Sequence, residues 1–248
     1  MLEFFTYDSP YRTGVFMELS FLEKYGPIFL IIIGAILIAK YRNIFKKNPL
    51  LDRNFRIIIG IIFMVIYLSH YLLNFLLYGF DTIVLPFQLC SISMFLAIIL
   101  IFTKNRTVFS FVLYTGVIGG LISVFVPVIG YDSTFYRYYQ YEIAHAILIL
   151  TPIYFIFVHD YIPNVKETIY AYLILQFFAK FMLVFNYFYH TDFMFVFLDP
   201  IKIEKFPVIE KFGGIPLYLI WVEIAAVVAF IISYQAVHFF TKNKKEFK

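Results

Sequence analysis

The chain has 248 residues, 62% of them hydrophobic and 15% charged, with a mean hydropathy of +0.84. A soluble domain of this length cannot hide that much apolar surface, so lipid is the solvent for most of it. A formal net charge of +4 gives no case for a nucleic-acid partner, and the single cysteine, Cys90, excludes an internal disulfide and a cysteine-rich metal site.

No cleavable leader is expected, because the opening residues carry Glu3, Asp8, Arg12 and Glu18 instead of a basic start followed by an apolar core. The first spanning helix is expected to serve as the targeting signal. A span needs about 20 mostly apolar residues, and seven stretches qualify: 22–39, 55–77, 84–102, 108–129, 140–158, 166–189 and 215–239. "KYRNIFKKNPLLDRNFR" separates the first pair, "YGFDT" the second and third, and "TKNR" the third and fourth. "GYDSTFYRYY" and "HDYIPNVKE" follow the fourth and fifth, and a longer polar stretch from Asp192 to Gly214 follows the sixth. The expected fold is all-α: one polytopic membrane domain over 1–248 with seven transmembrane helices. Residues 1–21 form an outer N-terminal segment and 241–248 a basic cytoplasmic tail. The 33 Phe and 21 Tyr accompany abundant Ile, Lys and Asn, a biased composition that gives aromatic stripes no functional weight.

Thirteen of the twenty Lys and Arg fall in the 1–2, 3–4 and 5–6 connections and the tail. Arg12, Lys24, Arg137, Lys202, Lys205 and Lys211 fall on the other side, among many acids. The Lys/Arg-rich side is expected to be cytoplasmic, with the N-terminus outside, the C-terminus inside and the protein in the cell membrane. That basic face also suits anionic lipid headgroups.

Ionisable residues within spans are expensive and face a protein interior or a wet cavity. His70 and Asn74 lie near the outer end of span two, Gln88 and Cys90 at the outer start of span three, and Glu142 and His145 at the outer start of span five. Lys180 and Asn186 on span six and Glu223 on span seven complete a set in the outer half of the bilayer, so a polar pocket opening to the outer leaflet is expected. Each residue also has a plainer role. Cys90 can pack as a small hydrophobe, and Asn74, Gln88 and Asn186 can bridge helices. Lys180 and Glu223 can form an ion pair, or meet a lipid phosphate. Met64, Met94, Met182 and Met194 read as packing residues, and His159, His190 and His238 as solvated helix-end residues. "EIAH" has the Glu-x-x-His spacing of di-iron bundles, but no second copy stands at matching depth, so no metal is expected. "GVIGG" and "SVFVPVIG" on span four permit close helix contact or a kink, and no phosphate-loop Lys follows them.

A thiol in an apolar setting is a poor nucleophile, since burial favours its neutral form. An adjacent imidazole can take the proton, letting the sulfur form an acyl-thioester and pass the acyl group on. Cys90 and His145 are the candidates for that pair. Glu142, Asn186 or His70 can hold the imidazole, and Gln88 and Asn74 are candidate donors to an oxyanion. A pocket at this depth is reached from within the lipid, which makes a phospholipid ester a natural donor.

"LPFQLCSISMFLAIILIFTKN" resembles the proline–polar–cysteine third helix of the YwaF-like bacterial seven-span proteins, a family similar to the eukaryotic transmembrane protein 164 acyltransferases. The resemblance continues, in order, through "YYQYEIAHAILILTPIYFIF", "FNYFYHTDFMFVFLDP" and "IPLYLIWVEIAAVVAFIISY", covering most of the chain from span two onward. It implies an integral-membrane acyltransferase that moves fatty acyl groups between phospholipids, both donor and acceptor, with Cys90 as nucleophile, His145 as base and no cofactor. Gln88 departs from a histidine found in many relatives, and Asp192 from a usual asparagine. The alternative is a transporter or lipid-handling protein that uses Lys180, Glu223 and His145 as a charge relay and makes no covalent intermediate. A lipase-like hydrolase differs from the first reading only in using water as acceptor, and an assembly or sensor protein has no site-specific support.

Overall fold

The computed structural model describes residues 2–5, 19–125, 131–200 and 208–246. Among these residues all regular structure is helical. Seven long helices follow one another: α1 (Phe21–Lys47), α2 (Pro49–Tyr78), α3 (Leu89–Thr103), α4 (Arg106–Phe125), α5 (Tyr136–Val158), α6 (Val165–Tyr189) and α7 (Tyr218–Glu246). Arg12, Lys202, Lys205, Pro127, most of the expected outer segment 1–21 and the last residues of the tail lie outside the described residues.

Six of the helices are long and apolar enough to cross a membrane. The seventh, α3, has 15 residues and rises about 22 Å, short of the roughly 30 Å hydrocarbon core. The expected seven full spans thus become six helices of spanning length and one shorter apolar helix. The reason is local: Pro86 disfavours helical backbone in the residue before it, a 3₁₀ turn occupies Thr82–Val84, and helix begins only at Leu89.

The polar stretch expected to loop between the first two spans is helical on both sides of a single residue. Asn48 ends α1, with its N–H bonded to Ile44 O, and caps α2, its side chain accepting from Leu51 N at 3.0 Å. Pro49 follows at the first helical position, where a missing N–H costs nothing. At the other end of α1, Ser20 and Glu23 form a capping box.

The contacts divide the chain into two compact units. The first comprises Met1–Val84 and Cys90–Tyr161. Here α1 and α2 fold back on each other beside α5: Tyr138 O–H donates to Glu23 O and Gln140 Nε2 to Ile66 O at one end, while Phe45 and Phe55 both pack on Tyr154 at the other. In lipid the hydrophobic effect does not drive helices together, so close packing and hydrogen bonds must. Small residues of α4 provide the packing: a Cβ on Gly116 would sit 2.9 Å from Leu148, and one on Gly120 2.7 Å from Ile149. Ser93 on α3 meets Thr115 on α4 at 2.8 Å, both buried.

The second unit comprises Leu85–Leu89 and Ile162–Lys248. Asn164 and Glu167 form the capping box that starts α6, and His190 ends it in left-handed backbone, φ 51°. The turn after α6 is held by side chains. Phe87 lies edge-on to Phe185 and Phe193, and Tyr218 O–H donates to Phe197 O at 2.7 Å while accepting from Phe197 N at 2.8 Å.

Candidate functional site

Cys90 lies in the first turn of α3 because Pro86 delays the helix to Leu89. N–H groups in a first turn have no intrahelical acceptor. The half-buried thiol meets α4: its Sγ is 3.4 Å from Ser123 Oγ, and a Cβ on Gly119 would lie 3.2 Å from it. Glycine at 119 is therefore what lets the sulfur pack this close to α4.

His145 is buried in the middle of α5. Its Nδ1 bonds to Tyr141 O one turn earlier, at 2.8 Å. A carbonyl only accepts, so Nδ1 carries the proton and Nε2 the lone pair. The Tyr141 ring lies 4.1 Å from the imidazole, centroid to centroid, and the Tyr141 hydroxyl donates to Ser123 O at 3.1 Å. Cys90, Ser123, Tyr141 and His145 thus form one contiguous set across α3, α4 and α5. The sulfur and the imidazole do not hydrogen-bond each other; Ser123 and Tyr141 stand between their contacts.

Several expected supporting roles are not what the geometry provides. Glu142 does not hold His145: its Oε2 is buried with no hydrogen-bond partner among the described residues. Although the i,i+3 spacing brings the two residues onto one side of α5, the imidazole takes the backbone carbonyl at i−4 instead. Asn74 is not free to serve an oxyanion, since its Nδ2 donates to His70 Nδ1 at 3.1 Å and His70 O at 2.7 Å. That same bond occupies His70. Asn186 is saturated: its Nδ2 donates to Phe193 O and Val196 O, and its Oδ1 accepts from Thr191 Oγ1 and Phe193 N, all within the second unit. Gln88 Oε1, also in the second unit, accepts from Met194 N at 3.0 Å. Of the two roles open to Lys180 and Glu223, an ion pair or a lipid phosphate, the ion pair is not formed: Gln176 Nε2 donates to both Glu223 oxygens at 3.0 and 2.9 Å. Gln176 lies one turn before Lys180 on α6 and reaches the carboxylate first.

Ser123 and Tyr141 were not among the sequence candidates. Ser123 opens the quoted "SVFVPVIG" but reads there only as a small residue, and Tyr141 is one of 21 tyrosines. The i−4 spacing to His145 marks the backbone carbonyl at 141 as an acceptor and says nothing of the side chain there.

No curated protein and no solved structure matches the chain. The model of one family, TMEM164, matches residues 17–234. With that match running over most of its length, this multi-pass membrane chain belongs to the TMEM164 family.

Proposed function

We propose that the chain is an integral-membrane acyltransferase that moves fatty acyl groups between phospholipids, with Cys90 as nucleophile and His145 as base. The observation that carries this reading is the contiguous set Cys90–Ser123–Tyr141–His145, in which Tyr141 O fixes the imidazole tautomer and leaves Nε2 able to accept a proton.

In the first half-reaction Nε2 takes the S–H proton, through a water or substrate oxygen that spans the gap. The sulfur attacks the donor ester carbonyl and the ester C–O bond breaks. The lysophospholipid leaves with the proton from the imidazolium, and the acyl group stays on Cys90 as a thioester. In the second, Nε2 takes a proton from the hydroxyl of an acceptor lysolipid. That oxygen attacks the thioester, the C–S bond breaks and the sulfur is reprotonated. No electrons are exchanged. Backbone N–H groups in the first turn of α3 supply the oxyanion donors, in place of Asn74 and Gln88. In this reading the protein lies in the cell membrane with its N-terminus outside, its C-terminus cytoplasmic and the reaction in the outer half of the bilayer.

Purified protein in liposomes containing a labelled donor phospholipid and an unlabelled lysophospholipid tests the reading. Cys90→Ser and His145→Ala each lower transfer by about 100-fold or more, the scale of losing a nucleophile or a general base. Full-rate transfer by Cys90→Ala overturns it. Labelled fatty acid released in place of transferred label identifies water as the acceptor.

A further inference from the structure

The outer ends of α2 and α5 hold two donor groups that the chemistry at Cys90 and His145 leaves unused. A pair of bonds clamps these ends together: Ser69 Oγ and Tyr136 O–H lie 2.7 Å apart, and Gln140 Nε2 donates to Ile66 O at 3.1 Å. His70 and Arg137, the residues that follow Ser69 and Tyr136, are both half-buried. The two helices run antiparallel here, so one step past a contact turns both side chains to the same side of the pair. The charge of Arg137 accordingly acts on the His70 ring. Arg137 Nη1 donates to Gln140 Oε1, which steadies the guanidinium, and its carbon stands 5.5 Å from the centre of the Tyr141 ring. At His70 the amide of Asn74 occupies Nδ1 alone. An amide N–H donates, so Nδ1 accepts and the ring proton is on Nε2. Among the described residues that N–H finds no hydrogen-bond acceptor.

Arg137 stands in the first turn of α5, whose cap, Phe135, makes no side-chain bond. A cation there opposes the helix dipole, and a bound anion satisfies both. The face that carries Arg137 continues through Tyr141 to His145 in steps of four residues, and the Tyr141 ring lies 4.1 Å from the imidazole. These two ring spacings together keep the guanidinium carbon within about 10 Å of the imidazole centre. In a glycerophospholipid, five covalent bonds, about 6 Å when extended, separate the phosphorus from the nearer ester carbonyl carbon. A charge-assisted N–H···O bond adds about 2.8 Å. An ester placed for Cys90 and His145 therefore has its phosphate within reach of Arg137, two turns nearer the surface from which the headgroup comes.

We propose that Arg137 and His70 form the phosphate pocket of the donor lipid: the guanidinium and His70 Nε2 donate to the phosphodiester oxygens, and this anchor sets the ester against the sulfur. The pocket presupposes the acyl transfer assigned to Cys90 and His145, and it adds a selection for donors that carry a phosphate over neutral glycerolipids.

Donor choice tests it in the full-length protein in liposomes, with phosphatidylcholine and a diacylglycerol of the same acyl chains as alternative labelled donors. The unmodified protein prefers phosphatidylcholine by about tenfold or more in kcat/KM. Arg137→Gln brings that ratio near unity, His70→Phe lowers it by a smaller factor, and Arg137→Lys, which keeps the charge and loses the fork, retains part of it. No preference in the unmodified protein overturns the pocket, and that measurement needs no variant to fold. An unchanged ratio in Arg137→Gln also overturns it, even where both rates fall together, since that pattern marks a structural role. Retention is read separately in Cys90→Ser, where no turnover intervenes. Native mass spectrometry finds phosphatidylcholine held over diacylglycerol, and Arg137→Gln in that background removes the difference. Equal retention of the two lipids overturns the pocket, and displacement by millimolar inorganic phosphate overturns its assignment to a lipid. Full-rate transfer by Cys90→Ala, by contrast, removes the acyl-transfer reading and leaves retention to decide the pocket.

Discussion

Asn186 illustrates what depth in a span says about a polar side chain and what it leaves open. Its sequence position gives burial, and the residue is 1% exposed. It gives no direction, and here both ends of the amide turn to the 191–197 segment with four hydrogen bonds. An amide so occupied cannot orient an imidazole. The same distinction separates His145, whose i−4 carbonyl partner lies on its own helix, from Glu142, whose Oε2 finds none. Asn186→Leu removes four bonds and orphans a buried hydroxyl and N–H, so it should destabilise the protein by about 2–4 kcal/mol. Thermal unfolding in detergent should show a lower midpoint, and Lys180→Met, in an exposed position on the same helix, should leave the midpoint close to that of the unmodified protein.

Helices were the most legible level, and their ends the least. The close approach read from "GVIGG" is found where Gly116 and Gly120 meet Leu148 and Ile149. The same face of α4 separates two effects that adjacent glycines make easy to compare. A Cβ at 120 would stand 2.7 Å from the Ile149 side chain, so Gly120→Ala must displace that side chain or push α4 and α5 apart, a strain of about 1–3 kcal/mol. A Cβ at 119 would stand 3.2 Å from the Cys90 sulfur, a crowding that a few tenths of an ångström relieve. Gly119→Ala should therefore keep a near-native unfolding midpoint while the proposed acyl transfer falls by about tenfold, the loss that displacing a nucleophile at Cys90 would bring. Gly120→Ala should show the larger fall in midpoint, and equal effects on both measurements in the two variants would count against this division. Helix boundaries differ most from expectation where the chain is charged. Lys40 to Arg56 is basic throughout, yet Lys and Arg are good helix formers, and Asn48–Pro49 was the punctuation that mattered. At α3 the proline delays the start of the helix to Leu89, and the shortened helix has Cys90 in its first turn.

At the scale of the molecule, composition alone identifies the solvent, and the order of apolar stretches gives the order of the helices. The grouping of α1, α2, α4 and α5 with most of α3 into one unit, and of α6 with α7 into another, depends on contacts between residues far apart in sequence, which no local pattern encodes. A buried cluster in which Arg56, Tyr154 and His159 all donate to Asp52, and Arg56 also to Ile101 O, escaped for the same reason, since its members come from α2, the end of α3 and the end of α5. Orientation rests on the distribution of Lys and Arg and can be measured directly, because Cys90 is the only thiol to remove. In a Cys90→Ser background, an impermeant maleimide should label Thr134→Cys in intact cells and Lys47→Cys only after permeabilisation. The opposite pattern would invert the assigned topology.

The lone residue joining α1 to α2 has a bearing on how the protein is made. Asn48 closes one helix and opens the next, so the basic ends of both are held together on one side of the bilayer. Helices joined this closely favour insertion as a hairpin, and extra residues spliced at this joint should slow biogenesis before they affect the finished fold.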